Sequence, residues 1–197
     1  MNTPNKLTLA RMIATPVFMA IMLIDFPYHY AVSLVLFIAA SLTDMIDGQM
    51  ARKYNMVTDF GKFMDPLADK MLTTSAYLGF MFIYGGTKWS WHIVVITFIV
   101  LFREFAVSSI RLVAVTAGGK VVAANMWGKC KTVSQMAGII IALGVYALNE
   151  IIKISGGSFA LLADLVIIAL FWLSAVLCVI SGAIYIYGGR EYIANAK

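Results

Sequence analysis

Eight residues stand in a fixed frame: Asp44-x-x-Asp47-Gly48-x-x-Ala51-Arg52, eight further positions, then Gly61-x-x-x-Asp65-x-x-x-Asp69. Asp44 and Asp47 are spaced i,i+3, and Asp65 and Asp69 i,i+4, so on helices each pair shares one face. Two such pairs brought together repel unless cations sit between them, and hard divalent ions prefer carboxylate oxygen. A pair of such ions about 3.5–4 Å apart clamps the entering and leaving oxygens of a transferring phosphoryl group. Asp44, Asp47 and Asp65 suit the metal-holding role. Asp69, one turn further, would complete the second metal's shell and accept a proton from an attacking hydroxyl. Arg52 falls on the side of Asp44 if the helix continues, where a guanidinium suits a phosphate. Gly48, Ala51 and Gly61 remove side-chain bulk and let a nucleotide or a helix come close.

These residues must be positioned by membrane helices. Of 197 residues, 61% are hydrophobic and 13% charged, and the mean hydropathy is +0.87. Soluble domains are nearer half apolar and a quarter charged, so the composition excludes an ordinary soluble enzyme. Carboxylates at bilayer depth are costly and mark function. The pattern predicts six spans at roughly 8–25, 30–50, 67–84, 91–115, 131–149 and 160–187. A short juxtamembrane helix leads into the first, entered through Asn2-Thr3-Pro4-Asn5 with a capping side chain and an early proline. With no cleavable signal expected, the first apolar stretch stays in the membrane. The whole chain, 1–197, reads as one domain.

Six spans put 13 of the 15 basic residues on the side of the termini, leaving only Lys88 and Lys153 opposite. The positive-inside rule then sets both termini and the aspartates at the cytoplasmic face of the cell membrane. A short polar loop at 55–59 joins the second and third spans, which are expected as antiparallel neighbours with converging carboxylates. Cys130 and Cys178 read as packing residues rather than a disulfide or zinc site. Gly138 and Gly144 read as helix-contact positions, and His29 and His92 as interfacial residues on the outer side.

The frame resembles the signature of the CDP-alcohol phosphotransferases, with every fixed position filled, and the six-span layout extends the likeness over the whole chain. The resemblance implies an all-α six-transmembrane-helix bundle, a homodimer, and a polar cavity open to the cytoplasm. It implies two Mg²⁺ or Mn²⁺ ions on Asp44, Asp47, Asp65 and Asp69, with Asp69 as general base. It further implies a CDP-diacylglycerol site of Gly48, Ala51, Arg52, Thr58 and Gly61, approached by Asn5 and Thr8 of the leading Pro4-Asn5-x-Leu7-Thr8-x-x-Arg11 run.

Arg103-Glu104-Phe105, Ser109-x-Arg111 and Gly128-Lys129-x-Lys131-Thr132-x-x-Gln135 resemble the branch that makes phosphatidylglycerophosphate. Arg111, Lys129 and Lys131 would form a basic pocket for an acceptor that already carries a phosphate, such as glycerol 3-phosphate. Inositol phosphate or phosphatidylglycerol are alternative acceptors, and Lys129 and Lys131 also suit plain headgroup anchoring. Arg103 beside Glu104 suits an ion pair that only orients the fourth span. Outside the family, a divalent-cation transporter would need polar residues through the full membrane depth, and the acids here cluster at one face. No nucleic-acid partner is expected.

Overall fold

A computed structural model describes residues 2–53, 59–116, 126–153 and 157–194; the side chains of 3, 4, 45, 47–53, 59, 60, 62, 63, 65, 66, 111–116, 157, 158 and 189–194 lie outside the description. Six helices account for nearly all of it: α1 (Thr3–Leu23), α2 (His29–Lys53), α3 (Asp59–Ile83), α4 (Ser90–Thr116), α5 (Met126–Ile152) and α6 (Gly157–Ala194). Among the described residues there is no strand. This is an all-α membrane protein.

The helix starts follow local chemistry. Asn2 caps α1 by accepting the Asn5 backbone N–H at 3.2 Å, and proline follows in the first turn. The expected juxtamembrane helix is the first part of α1, continuous with the rest. The amino end of α2 is capped from a distance: the Glu150 carboxylate on α5 accepts the N–H groups of His29 at 3.1 Å and Tyr30 at 3.3 Å. Two orphan donors are thereby satisfied by an anion at the positive end of the helix. Gly86, at φ 76°, turns the chain between α3 and α4, a conformation that suits the absence of a Cβ.

Among the described residues, four helices hold runs long and apolar enough to cross a bilayer: Asn5–Leu23, Ser90–Ile110, Met126–Ile152 and Phe159–Gly188. The apolar run described for α2, His29–Asp44, is shorter. α2 and α3 have 25 residues each, about 37 Å of helix, which exceeds the roughly 30 Å hydrocarbon core. Their length therefore permits crossing, while the frame at the end of α2 and the start of α3 removes the uniform apolarity of a simple span.

Helix adjacency departs from the expected order. Among the described residues, α1 packs along both α2 and α3, while α2 and α3 touch each other only sparsely. A short connection fixes only the near ends of two helices, and α1 fills the space between them. α2 leans instead on α5, and α6 packs against α4 and α5. The core is aromatic: Phe18 and Phe37 meet with ring centroids 5.7 Å apart, and Phe171 lies 5.2 Å from both Tyr77 and Phe80. Within it Tyr77 Oη and Ser174 Oγ satisfy one another at 2.9 Å.

Gly138 is a contact position as expected: a Cβ there would come within 3.2 Å of the Phe171 ring. Gly144 is not, since a Cβ would meet nothing within 4 Å. Cys178 is buried and accepts from Gln135 Nε2 at 3.4 Å, but Cys130 is exposed and packs against no core. His29 is buried at the start of α2, its ring 3.9 Å from that of Tyr30. His92 accepts from Trp172 Nε1 at 3.2 Å.

Candidate active site

Asn5, Thr8, Arg11 and Thr15 are all buried on α1. Their spacing of three to four residues makes one polar stripe along an otherwise apolar helix. The stripe meets the acidic frame, for Arg11 Nη1 donates to Asp44 Oδ1. The Arg11 side chain is 1% exposed and that of Asp44 33%. Asp44 thus sits at the open end of a buried cation.

Asp69 lies one helix away, on α3. Among the described residues, the charged groups acting on it are Asp44, Lys131, Lys70 and Glu104. Asp44 and Asp69 thus lie within electrostatic reach of one another. Asp47, Gly48, Ala51 and Arg52 belong to the α2 backbone and Asp65 to that of α3, but their side chains lie outside the described residues. Thr58 lies outside them altogether, and Gly61 is buried in the first turn of α3. Among the described residues, no three acidic, histidine or cysteine side chains gather into a metal-binding group. The donor chemistry of Asp44 and Asp69, all carboxylate oxygen beside a buried cation, fits hard divalent ions.

Asp69 and Lys70 form one wall of a cavity of about 550 Å³. Arg103, Glu104 and Val107 of α4 form another, Gly128 to Val133 of α5 contribute Lys129 and Lys131, and Tyr185 of α6 closes it. This volume falls in the range of small-molecule sites. Lys70, Arg103, Lys129 and Lys131 outnumber the two acids, Asp69 and Glu104, among the lining side chains. A basic, partly enclosed cleft of this kind concentrates anions.

The cations differ in how they are held. Lys131 is 6% exposed and donates through Nζ to Glu104 Oε1. Arg103 Nη1 donates to the same oxygen at 3.2 Å, and its Nη2 donates to Ser181 Oγ of α6 at 3.0 Å. Glu104 therefore ties α4 to α5 and, through Arg103, to α6. The expected Arg103–Glu104 pair exists, but it lines the cavity as well as orienting α4. Lys129 lines the same cavity and is exposed. The Arg111 side chain lies outside the described residues.

Sequence reasoning did not assign Arg11, Lys70, Glu104 or Tyr185 to the site. Arg11 was detectable from the polar stripe on α1. Lys70 was detectable from its place beside Asp69. Tyr185 carried no signal, since it lies in an uncharged run of α6 among other aromatic residues.

The sequence profile of the CDP-alcohol phosphatidyltransferase family matches residues 1–187. The chain belongs to that family, and is an enzyme of that class. Among its relatives is the CDP-diacylglycerol–glycerol-3-phosphate 3-phosphatidyltransferase of Bacillus subtilis, 40% identical over all of this chain and 99% of the relative. The Rickettsia bellii protein of the same name is 35% identical over 97% of each chain. A probable phosphatidylglycerophosphate synthase of Mycobacterium tuberculosis is 37% identical over 75% of this chain and 66% of its own.

Proposed function

We propose that the protein moves the phosphatidyl group of CDP-diacylglycerol onto glycerol 3-phosphate, yielding phosphatidylglycerol phosphate and CMP. The observation that carries this reading is the shared cavity, with Asp69 on one wall and Lys129 and Lys131 on another. A hydroxyl nucleophile tethered to a phosphate needs that combination: a base at the hydroxyl and fixed cations at the phosphate. The names of the full-length relatives support the same acceptor.

In this reading Asp69 takes the proton of the glycerol hydroxyl as its oxygen bonds to the phosphatidyl phosphorus. The bond from that phosphorus to the bridging oxygen breaks, and CMP leaves with the electron pair. Direct in-line displacement is favoured, because no Ser, Cys or His was expected beside the frame. Lys131, held by Glu104, would fix the acceptor phosphate together with Lys129 and Arg111. Asn5, Thr8, Gly48, Ala51, Arg52, Thr58 and Gly61 would receive the cytidine diphosphate. Divalent ions, Mg²⁺ or Mn²⁺, held by Asp44, Asp47, Asp65 and Asp69, would neutralise charge on the pyrophosphate oxygens when bound. The whole chain acts as one domain of a homodimer in the cell membrane, with its cavity and both termini on the cytoplasmic side.

Purified protein supplied with CDP-diacylglycerol and one acceptor at a time tests the reading through CMP release. Glycerol 3-phosphate is expected to support release far better than inositol phosphate or phosphatidylglycerol. Preference for either of those, or Mg²⁺ flux into vesicles without nucleotide, would replace it.

A further inference from the structure

Of the two acids among the described residues that line the polar cavity, Asp69 and Glu104, the proposed reaction uses only Asp69. Glu104 is a costly way to hold the wall together. A carboxylate beside an anion site competes with the acceptor phosphate for Lys131, and its own burial is unfavourable. A neutral group can tie a cation of this bundle in place, as Ser181 Oγ does for Arg103 Nη2 at 3.0 Å.

The two oxygens of Glu104 are used unequally. Oε1 accepts from both Lys131 Nζ and Arg103 Nη1. Among the described residues nothing donates to Oε2, and Oε2 is not sealed in the core either. The side chain is 12% exposed and stands on the cavity wall, so Oε2 opens on the cavity. An ionised carboxylate only accepts, and a group that meets it there must donate. Lys131 carries three donors and gives one to Glu104, which leaves others for a phosphate. An ammonium shared in this way holds two oxygens about 4–5 Å apart, so the phosphate and the donor belong to one small molecule.

We infer that Glu104 is a specificity-determining residue for the acceptor, whose middle hydroxyl donates to Oε2 while Lys131 bridges Glu104 to the acceptor phosphate. This deepens the proposed transfer to glycerol 3-phosphate and rests on it. That acceptor has one phosphate and two hydroxyls, and the cavity meets each with its own group. Lys129 and Lys131 face the phosphate, Asp69 the hydroxyl that reacts, and Glu104 the hydroxyl that is kept. Asp69 and Glu104 lie within electrostatic reach of one another, as two groups acting on one small molecule must. An acceptor-only group rejects a molecule that lacks the donor, and equally a carbonyl, which is itself an acceptor.

The test varies the middle carbon alone. Purified protein receives CDP-diacylglycerol with glycerol 3-phosphate, with 3-hydroxypropyl phosphate, which lacks the middle hydroxyl, or with dihydroxyacetone phosphate, which carries a ketone there. All keep the phosphate and the terminal hydroxyl, and CMP release gives kcat/KM. The unmodified protein is expected to prefer glycerol 3-phosphate by about 30-fold over each analogue. Glu104→Gln turns its amide oxygen to Lys131 and presents N–H to the cavity. Its preference over the ketone should shrink to about threefold or less, because an N–H donates to a carbonyl. Glu104→Ala should lose the preference over both analogues. Lys131→Met should weaken all three acceptors alike and keep the preference.

Near-equal use of the three acceptors by the unmodified protein, which needs no variant to fold, overturns the inference and leaves the transfer reading standing. A uniform loss in Glu104→Gln with its preference intact also overturns it, and makes Glu104 a support for Lys131 alone. Absence of CMP release with every acceptor sinks the transfer reading itself, and the inference with it.

Discussion

Arg11 of α1 and Asp44 of α2, 33 positions apart, form an ion pair at the base of the acidic frame. The pair ties α1 to α2 where the frame begins. A buried guanidinium needs a counter-ion, and the frame supplies one where α1 passes. Asp44→Asn leaves Arg11 buried without that charge. The expected cost is about 2 kcal/mol, less than for a fully buried pair because Asp44 is one-third exposed. Denaturation in detergent measures it. In a double-mutant cycle Arg11→Met with Asp44→Asn is expected to be less destabilised than the sum of the single changes.

Removing the proposed base is expected to separate chemistry from binding. Asp69→Asn keeps the shape of the side chain and deletes its proton affinity. Its kcat is expected to fall by about 10²–10⁴-fold while CDP-diacylglycerol still binds. Wild-type turnover in this variant would take Asp69 out of the mechanism.

The two cavity lysines are expected to differ. Lys131 is buried and fixed by Glu104, whereas Lys129 is exposed and screened by water. Lys131→Met is predicted to raise KM for glycerol 3-phosphate by about tenfold or more. Lys129→Ala is predicted to raise it only about threefold. Neither should change KM for CDP-diacylglycerol comparably. Equal effects would mean that the lysines anchor headgroups rather than the acceptor.

Chelation tests the carboxylates as a set. EDTA is expected to abolish CMP release, and Mg²⁺ or Mn²⁺ to restore it. Returning the ion should also raise the unfolding midpoint, since an ion that binds only the folded protein stabilises it. The same rise should be absent from Asp69→Asn carrying Asp44→Asn.

The glycines supply a test independent of activity. Gly138→Ala drives a methyl into the Phe171 ring, which is fully buried, and should cost about 1–3 kcal/mol. Gly144→Ala meets open space. It should be neutral or stabilising by up to about 1 kcal/mol, because alanine favours the helix.

These contrasts show where the sequence was informative. Helix positions were legible because Asn2, Pro4 and Gly86 act on their immediate neighbours, and because uncharged runs announce themselves. The acidic frame was legible because its spacing is local to two helices. Adjacency was not: chain order suggested α2 beside α3, while the intervening α1 is specified by Arg11 finding Asp44 across 33 positions. Glu104 and Lys131 likewise meet across 27 positions, and nothing in either local stretch names the other. Gly138 and Gly144 share a helix and a residue type, and only the ring opposite tells them apart.

The interposed first helix also sets an order of assembly. During synthesis α1 is made before either helix it separates, and Arg11 enters the bilayer with no acid of the frame yet available. Arg11 finds its counter-charge only when Asp44 emerges, and the cavity of α3, α4 and α5 is complete only once Tyr185 of α6 has followed. A helix made ahead of both its neighbours thus waits for them, and the charged cavity is a late product of insertion.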